Sequence, residues 1–243
     1  MKNILSRHEW FSLCLLVIFS LASIFPSICY LAYGYIPDFW LSEGGLYESV
    51  GAAACFIAGL FGLWCFKVAL SKKMRLHAFW LLLLSLACLF IAGEELSWGQ
   101  HIFNYEPPTS ITSNNFQGEF NLHNSKLIQS GNNELSSIFF KLLMLYFILL
   151  PMLLEVFPTI DRCVKQIMIP VPSMLIAIIA LIAKAGDIVN HKIVYGPSFE
   201  RDSLHLGEAV ESILELCLLI LTFEIFYCLK NSPTFLASRA QHS

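Results

Sequence analysis

Residues 77–98 read HAFWLLLLSLACLFIAGEELSW, an apolar run that ends in two acids, Glu94 and Glu95. A helix needs roughly 20 predominantly apolar residues to cross a bilayer, and this run has that length. Similar runs occupy residues 10–33, 47–70, 136–157, 167–186 and 207–229. The sequence therefore predicts an all-α, polytopic integral membrane protein with six transmembrane helices, which form one domain over residues 1–243.

The composition of the whole chain agrees with lipid as its main solvent. Hydrophobic residues make up 56% of the sequence and charged residues only 14%, with a mean hydropathy of +0.65, whereas soluble domains are about a quarter charged. The net charge of -3 argues against a nucleic-acid partner, which requires a basic surface. The eight cysteines form no Cys-x-x-Cys pair, so we expect them to pack as small hydrophobic residues.

The distribution of Lys and Arg predicts the orientation of the helices. One set of helix ends carries Lys2, Arg7, Lys67, Lys72, Lys73, Arg75, Arg162, Lys165, Lys230 and Arg239, and the other set carries the remaining five of the 15 basic residues. Cytoplasmic loops are enriched in Lys and Arg. We therefore expect both termini in the cytoplasm, an N-in/C-in arrangement.

Small residues recur at every fourth position of the second predicted span. The two rows are Gly51, Cys55 and Gly59, and Ala54, Ala58 and Gly62. Such rows allow helix backbones to approach closely in lipid, so they predict helix packing.

The connection between the third and fourth spans, residues 103–135, is predicted to be an outer loop. Its central stretch, 114–124, reads NNFQGEFNLHN and is dense in amides and aromatic side chains. Loops this long without regular structure are uncommon and are usually functional or disordered. We expect an ordered loop that lies at the interface or folds back onto the bundle.

Ionisable residues of the predicted spans concentrate at their outer ends. Charges within spans are costly and usually face a bundle interior or a wet cavity. Helical spacing places three sets on common faces: Glu94, Ser97 and His101; Asp187 and His191; and Glu208, Glu211 and Glu215. Carboxylates and imidazoles in this arrangement can bind a divalent metal, and a close carboxylate pair can act as acid and base.

We expect these residues to form one outward-facing site. The predicted catalytic residues are Glu94, Glu95, His123 and Glu211. The predicted ligands of a divalent metal, Zn, Mn or Fe, are His101, His123, Asp187, His191 and Glu208. The predicted substrate-binding residues are Glu48, Ser97, Trp98, Gln100, Gln117, Glu119, Asn121, Asn124 and Glu215.

Structural interpretations of the same residues stay open. The Glu stripe of the last span could form buried ion pairs with Lys141 and Lys184. Asp187 with His191 could be a helix-end pair. The stretch from Glu94 to His101 is a poor apolar anchor, so there the functional interpretation is favoured.

The stretches 93–100, GEELSWGQ, and 115–124, NFQGEFNLHN, resemble paired motifs of a group of uncharacterised bacterial polytopic membrane proteins. That group combines a Gly-Glu-Glu-x-Ser-Trp-Gly-Gln segment with an Asn-x-Gln-x-Glu-x-Asn-Leu-His-Asn segment. The resemblance extends from Glu48 to the last span. It implies a multi-pass protein of the bacterial inner membrane and carries no assigned activity.

Glu94-Glu95 near a helix end also looks like the first motif of the CAAX-prenyl-protease-like (Abi) membrane proteases. In that family paired Glu and later His residues activate water. The present chain has Gly99 where that motif continues to an Arg. It also lacks the later Phe-x-x-x-His of that family, because Phe120 and His123 are only three residues apart. The likeness implies only that a Glu pair with histidines can support hydrolysis within a membrane.

Three functions are compatible with these patterns. The first is a hydrolase or transferase that uses a metal or a Glu/His-activated water on a lipid or lipid-linked substrate. The second is a non-catalytic scaffold or sensor subunit that docks a periplasmic partner through the outer loop. The third is a proton-coupled carrier with Glu215 as its deep proton site.

Overall fold

The computed structural model describes residues 7–41, 44–115, 118–122, 125–126, 141–194 and 206–231. About 83% of these residues are helical and none lies in a strand. Five helices among them are long and apolar enough to cross a membrane. This confirms the predicted all-α class and is the architecture that a membrane-embedded chain requires.

The helices are α1 (Arg7–Tyr33), α2 (Leu46–Ser71), α3 (Arg75–Glu95), α4 (Leu150–Val156), α5 (Pro158–Ile167), α6 (Met174–Val194) and α7 (Gly207–Asn231). Single turns of helix occur at Asp38–Leu41, Gln100–Phe103 and Thr109–Thr112. A 3₁₀ turn covers Ser97–Gly99, and a π-helical turn covers Leu145–Leu149 immediately before α4.

The structure corrects two predicted helix boundaries. α3 ends at Glu95, not at Trp98, because the backbone turns sharply there. The fifth predicted span, 167–186, is instead α6 from Met174 to Val194. The residues before it form the separate helix α5 and an extended connection that contains Pro170, where a helix is disfavoured.

The fourth predicted span, 136–157, is described from residue 141 onward. Residues 141–156 are helical, and the π turn Leu145–Leu149 lies directly ahead of Pro151. Proline lacks a backbone N–H and its ring crowds the preceding turn, which a local π turn accommodates. Residues 136–140 lie outside the described part of the chain.

The small-residue rows of α2 lie in the core, as predicted. α2 packs most extensively against α3 and next against α7. A Cβ atom on Gly59 would lie 2.6 Å from Leu89 Cγ, so only glycine permits this approach. All eight cysteines are free. The expected packing role fits the buried Cys29, Cys55, Cys65, Cys88 and Cys217, whereas Cys14, Cys163 and Cys228 are exposed.

Polar contacts fix α1 at its internal proline. Pro26 cannot donate a hydrogen bond to the carbonyl of Ala22. Tyr47 of α2 instead donates its hydroxyl to Ala22 O at 2.7 Å. Asn190 of α6, only 1% exposed, donates from Nδ2 to the next carbonyl, Ser23 O, at 2.9 Å. These bonds hold α1 against two other helices in a medium that offers no water.

Contacts between the helices define two ends of the bundle. We call one the acidic end; it contains the C-termini of α1, α3 and α6 and the N-termini of α2 and α7. We call the other the basic end; it contains the 72–75 turn and helix α5. There Lys72 donates from Nζ to Leu229 O, and Trp80 donates from Nε1 to Ile167 O at 2.8 Å.

Candidate functional site

A left-handed turn follows α3 at the acidic end. Ser97, Trp98 and Gly99 have φ values of 44°, 52° and 85°. Glycine adopts the left-handed conformation freely, whereas this conformation costs about 1 kcal/mol at each of Ser97 and Trp98. The turn interrupts the helical spacing, so the prediction that Glu94, Ser97 and His101 share one helix face is wrong.

The carboxylate of Glu94 holds this turn and the outer loop together. Glu94 is 6% exposed. Its Oε1 accepts a hydrogen bond from Trp98 Nε1 at 2.7 Å, and its Oε2 accepts one from the backbone N–H of Leu122 at 2.6 Å. The Trp98 ring packs on Gly93 and meets Phe90 edge to face, with 5.7 Å between ring centroids. Hydrogen bonds to a charged group are among the stronger ones in proteins, so Glu94 anchors the loop.

A second carboxylate, Glu119, joins the loop to the same turn. Glu119 Oε2 accepts from Ser97 Oγ at 2.7 Å and from Asn121 Nδ2 at 2.7 Å. Asn121 Nδ2 also lies 3.0 Å from Ser97 Oγ. Asn115 closes the loop internally, since its Nδ2 donates to Asn121 Oδ1 at 2.9 Å and its Oδ1 accepts from Glu119 N at 3.2 Å. These four residues are 7% exposed or less.

Gln100 supplies a further bond between the two motifs. Its Oε1 accepts from the backbone N–H of Phe120 at 2.8 Å. We refer to the whole set as the loop-docking network: Glu94, Ser97, Trp98, Gln100, Asn115, Glu119 and Asn121. Its members come from the stretches 93–100 and 115–122, so the loop is ordered over its described residues and folds back onto the bundle.

Glu95, next to Glu94, belongs to a different group of residues. Glu215 of α7 is 5% exposed, and its carboxylate lies against Gly51, one turn along α2 from Glu48. We call the five residues the acid cluster: Glu48 of α2, Glu95 of α3, and Glu208, Glu211 and Glu215 of α7. The four acids around Glu215 are half-buried. Three helices therefore place acidic side chains at the acidic end.

Small residues of α2 make room for the Glu215 side chain. A Cβ atom on Gly51 would overlap the Glu215 carboxylate. The side chain of Cys55, one turn further along α2, lies beside that carboxylate. Ser212, on the preceding turn of α7, donates its hydroxyl to Tyr47 O. The close contact between α2 and α7 therefore contains buried polar groups, and the small residues Gly51 and Cys55 leave room for them.

Asp187 and His191 form a pair at the end of α6, as their spacing predicted. His191 Nδ1 lies 3.2 Å from Asp187 Oδ1, and Lys184 Nζ lies 2.6 Å from Asp187 Oδ2. The side chain of Lys184 is 53% exposed. This geometry matches a helix-end pair and gives no support to a buried ion pair between Lys184 and the Glu stripe of α7.

The described residues contain no group of three or more His, Cys, Asp or Glu side chains that could hold a metal ion. The predicted ligand His123 lies outside them, as do the predicted substrate-binding residues Gln117 and Asn124. The side chain of His101 lies outside them too, although its backbone belongs to the turn Gln100–Phe103. The metal site therefore stays a prediction.

Comparisons with protein-family models, curated proteins and solved structures find no match to this chain.

Two contributors were not among the predicted site residues. Asn115 lies inside the amide-rich loop stretch and organises it, and Cys55 lies in the small-residue row that faces Glu215. The row of small residues was the available signal for Cys55, and the amide density was the signal for Asn115.

Proposed function

We propose that this protein is a membrane-embedded hydrolase or transferase whose acid cluster performs acid–base chemistry on a lipid or lipid-linked substrate. One observation carries the proposal: Glu215 is 5% exposed, and its carboxylate is buried against Gly51 at the end of the bundle where Glu48, Glu95, Glu208 and Glu211 also lie. Intramembrane carboxylates are costly and usually functional. Repulsion between close carboxylates is relieved by shared protons or by a bound cation, and either arrangement provides an acid beside a base.

We further propose six spans, with both termini in the cytoplasm and the acidic end on the extracytoplasmic side of a bacterial inner membrane. The five long apolar helices support this arrangement, with residues 141–156 as part of the sixth span. The positions of the basic residues also support it, because Lys72, Lys73 and Arg75 share one short turn at the opposite end.

The depth of the acid cluster suits a substrate with a lipid tail. Glu215 lies eight residues into α7, about 12 Å at 1.5 Å per residue. Glu48 and Glu95 lie at helix ends. A headgroup at the membrane boundary can therefore meet the outer acids while its chain stays in lipid. Glu211 and Glu215 are four residues apart on one face of α7, and we propose that they serve as the acid and the base.

In a metal-dependent form of this chemistry, Zn, Mn or Fe would need His101 or His123 beside Glu208, because the described residues alone contain no group of three such ligands. Such an ion would supply Lewis-acid chemistry and lower the pKa of a water molecule at the site. Elemental mass spectrometry of purified protein tests this form, with Glu208→Gln and His123→Ala as variants. Stoichiometric metal in the wild type and its loss in both variants are expected for this form. If the wild-type protein is active and contains no metal, the carboxylates act as the acid and the base without one.

The experiment for the main proposal compares two intramembrane glutamates of α7. Wild type, Glu215→Gln and Glu224→Gln are reconstituted with total polar lipids of the expression host, and lipid products are quantified by mass spectrometry. Glu224 is the matched control, because it lies in the same helix and accepts a hydrogen bond from Ser173 Oγ at 2.6 Å, a bond that glutamine preserves. We expect Glu215→Gln to lower turnover by about 10²–10⁴-fold and Glu224→Gln to retain it.

Equal turnover by wild type and Glu215→Gln would exclude the acid–base role. Proton flux in proteoliposomes that Glu215→Gln abolishes, without lipid turnover, would indicate a carrier instead.

A scaffold function is the second candidate, and the docked loop favours it. Ile102 and Phe103 follow the left-handed turn with 63% and 76% of their surface exposed. The loop-docking network holds the segment beside them in place. If Phe103→Ser abolishes the cellular function while Glu215→Gln does not, the loop surface, not the acid cluster, carries the function.

A further inference from the structure

Helix α5, Pro158–Ile167, differs from the long helices of the bundle in its sequence pattern. Ile160, Cys163, Val164 and Ile167 recur at i, i+3, i+4 and i+7, so they share a sector of about 100°. The remaining positions carry mainly polar or charged side chains, among them Asp161, Arg162, Lys165 and Gln166. A short helix with such a clean division of faces is typical of one that lies in a membrane interface.

The apolar face of α5 is not covered by the described part of the chain. None of the helix's residues is buried. Ile160 is 38% exposed and Ile167 is 44% exposed, and the residue pair before the helix, Val156 and Phe157, is 67% and 48% exposed. In the chain, α5 lies between α4 and the apolar helix α6. An uncovered apolar face at the end of such a helix suits the boundary between acyl chains and headgroups.

Two hydrogen bonds fix the C-terminal end of α5 to the first turns of α3. Trp80 Nε1 donates to Ile167 O at 2.8 Å, and His77 Nδ1 lies 2.9 Å from Met168 O. This attachment places α5 at the same end of the bundle as the 72–75 turn. Tryptophan side chains are enriched at this depth in membranes, which agrees with an interfacial position for Trp80.

The same end presents exposed positive charge. Lys73 and Arg75 are exposed in the 72–75 turn, and Arg162 and Lys165 are exposed on α5. Lys165 Nζ lies 2.6 Å from Asp161 Oδ2, while 72% of the Lys165 side chain remains accessible. The ammonium group of Lys165 therefore lies at the surface and is paired with one carboxylate of α5, that of Asp161.

We propose that α5 and the 72–75 turn form a binding surface for anionic phospholipids in the adjoining leaflet. The apolar stripe of α5 lies among the first acyl carbons, and Arg162, Lys165, Lys73 and Arg75 bind the phosphates of surrounding headgroups. This binding surface is independent of the acid cluster, which lies at the opposite end of the bundle.

The test uses the full chain in detergent, titrated with phosphatidylglycerol and separately with zwitterionic phosphatidylcholine, with bound lipid counted by native mass spectrometry. We expect wild type to prefer phosphatidylglycerol and the Arg162→Gln/Lys165→Gln double variant to lose most of that preference, at roughly fivefold in affinity per basic residue. The matched control, Lys141→Gln/Lys192→Gln, removes two positive charges from the remainder of the chain and should bind as wild type does.

Two further variants keep the test decisive if the double variant fails to fold. Asp161→Asn frees Lys165 and should raise the affinity for phosphatidylglycerol, whereas Ile160→Gln interrupts the apolar stripe and should lower it. Thr159→Gln, on the polar face, should leave it unchanged. Equal affinity of wild type for both lipids, or an unchanged preference in Arg162→Gln/Lys165→Gln and in Asp161→Asn, would overturn the proposal.

Discussion

Glu94 and Glu95 are neighbours in the chain, yet their carboxylates serve different regions of the molecule. Glu94 accepts hydrogen bonds from Trp98 and from the backbone of Leu122, and so anchors the outer loop. Glu95 belongs to the acid cluster, where its charge acts on Glu215. Consecutive residues of a helix point about 100° apart, which is sufficient to separate them. Glu94 is thus a structural carboxylate, whereas we propose that the acid cluster to which Glu95 belongs performs the chemistry.

The largest expected effect tests this difference directly. Glu94→Ala would leave the Trp98 indole N–H and the Leu122 amide N–H without their acceptor in a buried site, at a cost of about 3 kcal/mol in the free energy of unfolding. Glu95→Ala truncates a half-buried side chain at the end of α3, and we expect a smaller change, below about 1 kcal/mol. Equilibrium unfolding in detergent, followed by tryptophan fluorescence, measures both values.

Limited proteolysis gives an independent measurement of the same contrast. The loop around residues 104–122 should become cleavable in Glu94→Ala and stay resistant in Glu95→Ala. Similar destabilisation by the two substitutions would mean that the acid cluster is also a structural element, and the distinction between the two regions would be lost.

The class of the fold could be predicted from the sequence because hydropathy alone requires it. Apolar runs of about 20 residues can satisfy their backbone in lipid only as helices, so α2, α3 and α7 lie close to their predicted positions. The end of α3 could not be predicted, because three consecutive left-handed residues have no apolar signature. The fifth span was misplaced because the apolar residues of the connection, 168–172, continue directly into the run that α6 occupies.

The location of the polar site could be predicted, but its division into two networks could not. The cost of charge in lipid was sufficient to place Glu48, Glu94, Glu95 and Glu215 at one end of the bundle. Assigning partners requires tertiary distances: the donor to Glu94 Oε2 is a backbone N–H 28 residues away, at Leu122. A backbone donor carries no signal in the side-chain sequence, so the structural role of Glu94 was not visible there.

An intermediate effect is expected where α2 meets the acid cluster. In Gly51→Ala the new methyl group would overlap the Glu215 carboxylate, and relieving that overlap should cost about 2 kcal/mol and displace Glu215. The exposed residue Ala53, on the other side of α2, provides the control: Ala53→Val should leave the free energy of unfolding nearly unchanged. Thermal unfolding of the two variants in the same detergent measures the difference. A fully stable Gly51→Ala protein would contradict the close contact between α2 and Glu215.

The smallest expected effect isolates one bond of the loop-docking network. Trp98→Phe keeps an aromatic ring against Gly93 and Phe90 but removes the Nε1–H that donates to Glu94 at 2.7 Å. The expected loss is about 1 kcal/mol in the free energy of unfolding. Since the ring change alone could alter packing, the bond itself is measured by a double-mutant cycle with Glu94→Gln.

Glutamine at position 94 retains an oxygen acceptor for one donor and replaces the other carboxylate oxygen with an amide NH₂. If Trp98 and Glu94 are coupled through the indole N–H, the double variant should be less destabilised than the sum of the single variants by about 1 kcal/mol. The same cycle with Glu95→Gln provides the contrast, because Glu95 belongs to the acid cluster. In that cycle the losses in the free energy of unfolding from Trp98→Phe and Glu95→Gln should add. A coupling between Trp98 and Glu95 of about 1 kcal/mol would show that the loop-docking network and the acid cluster are one energetic unit.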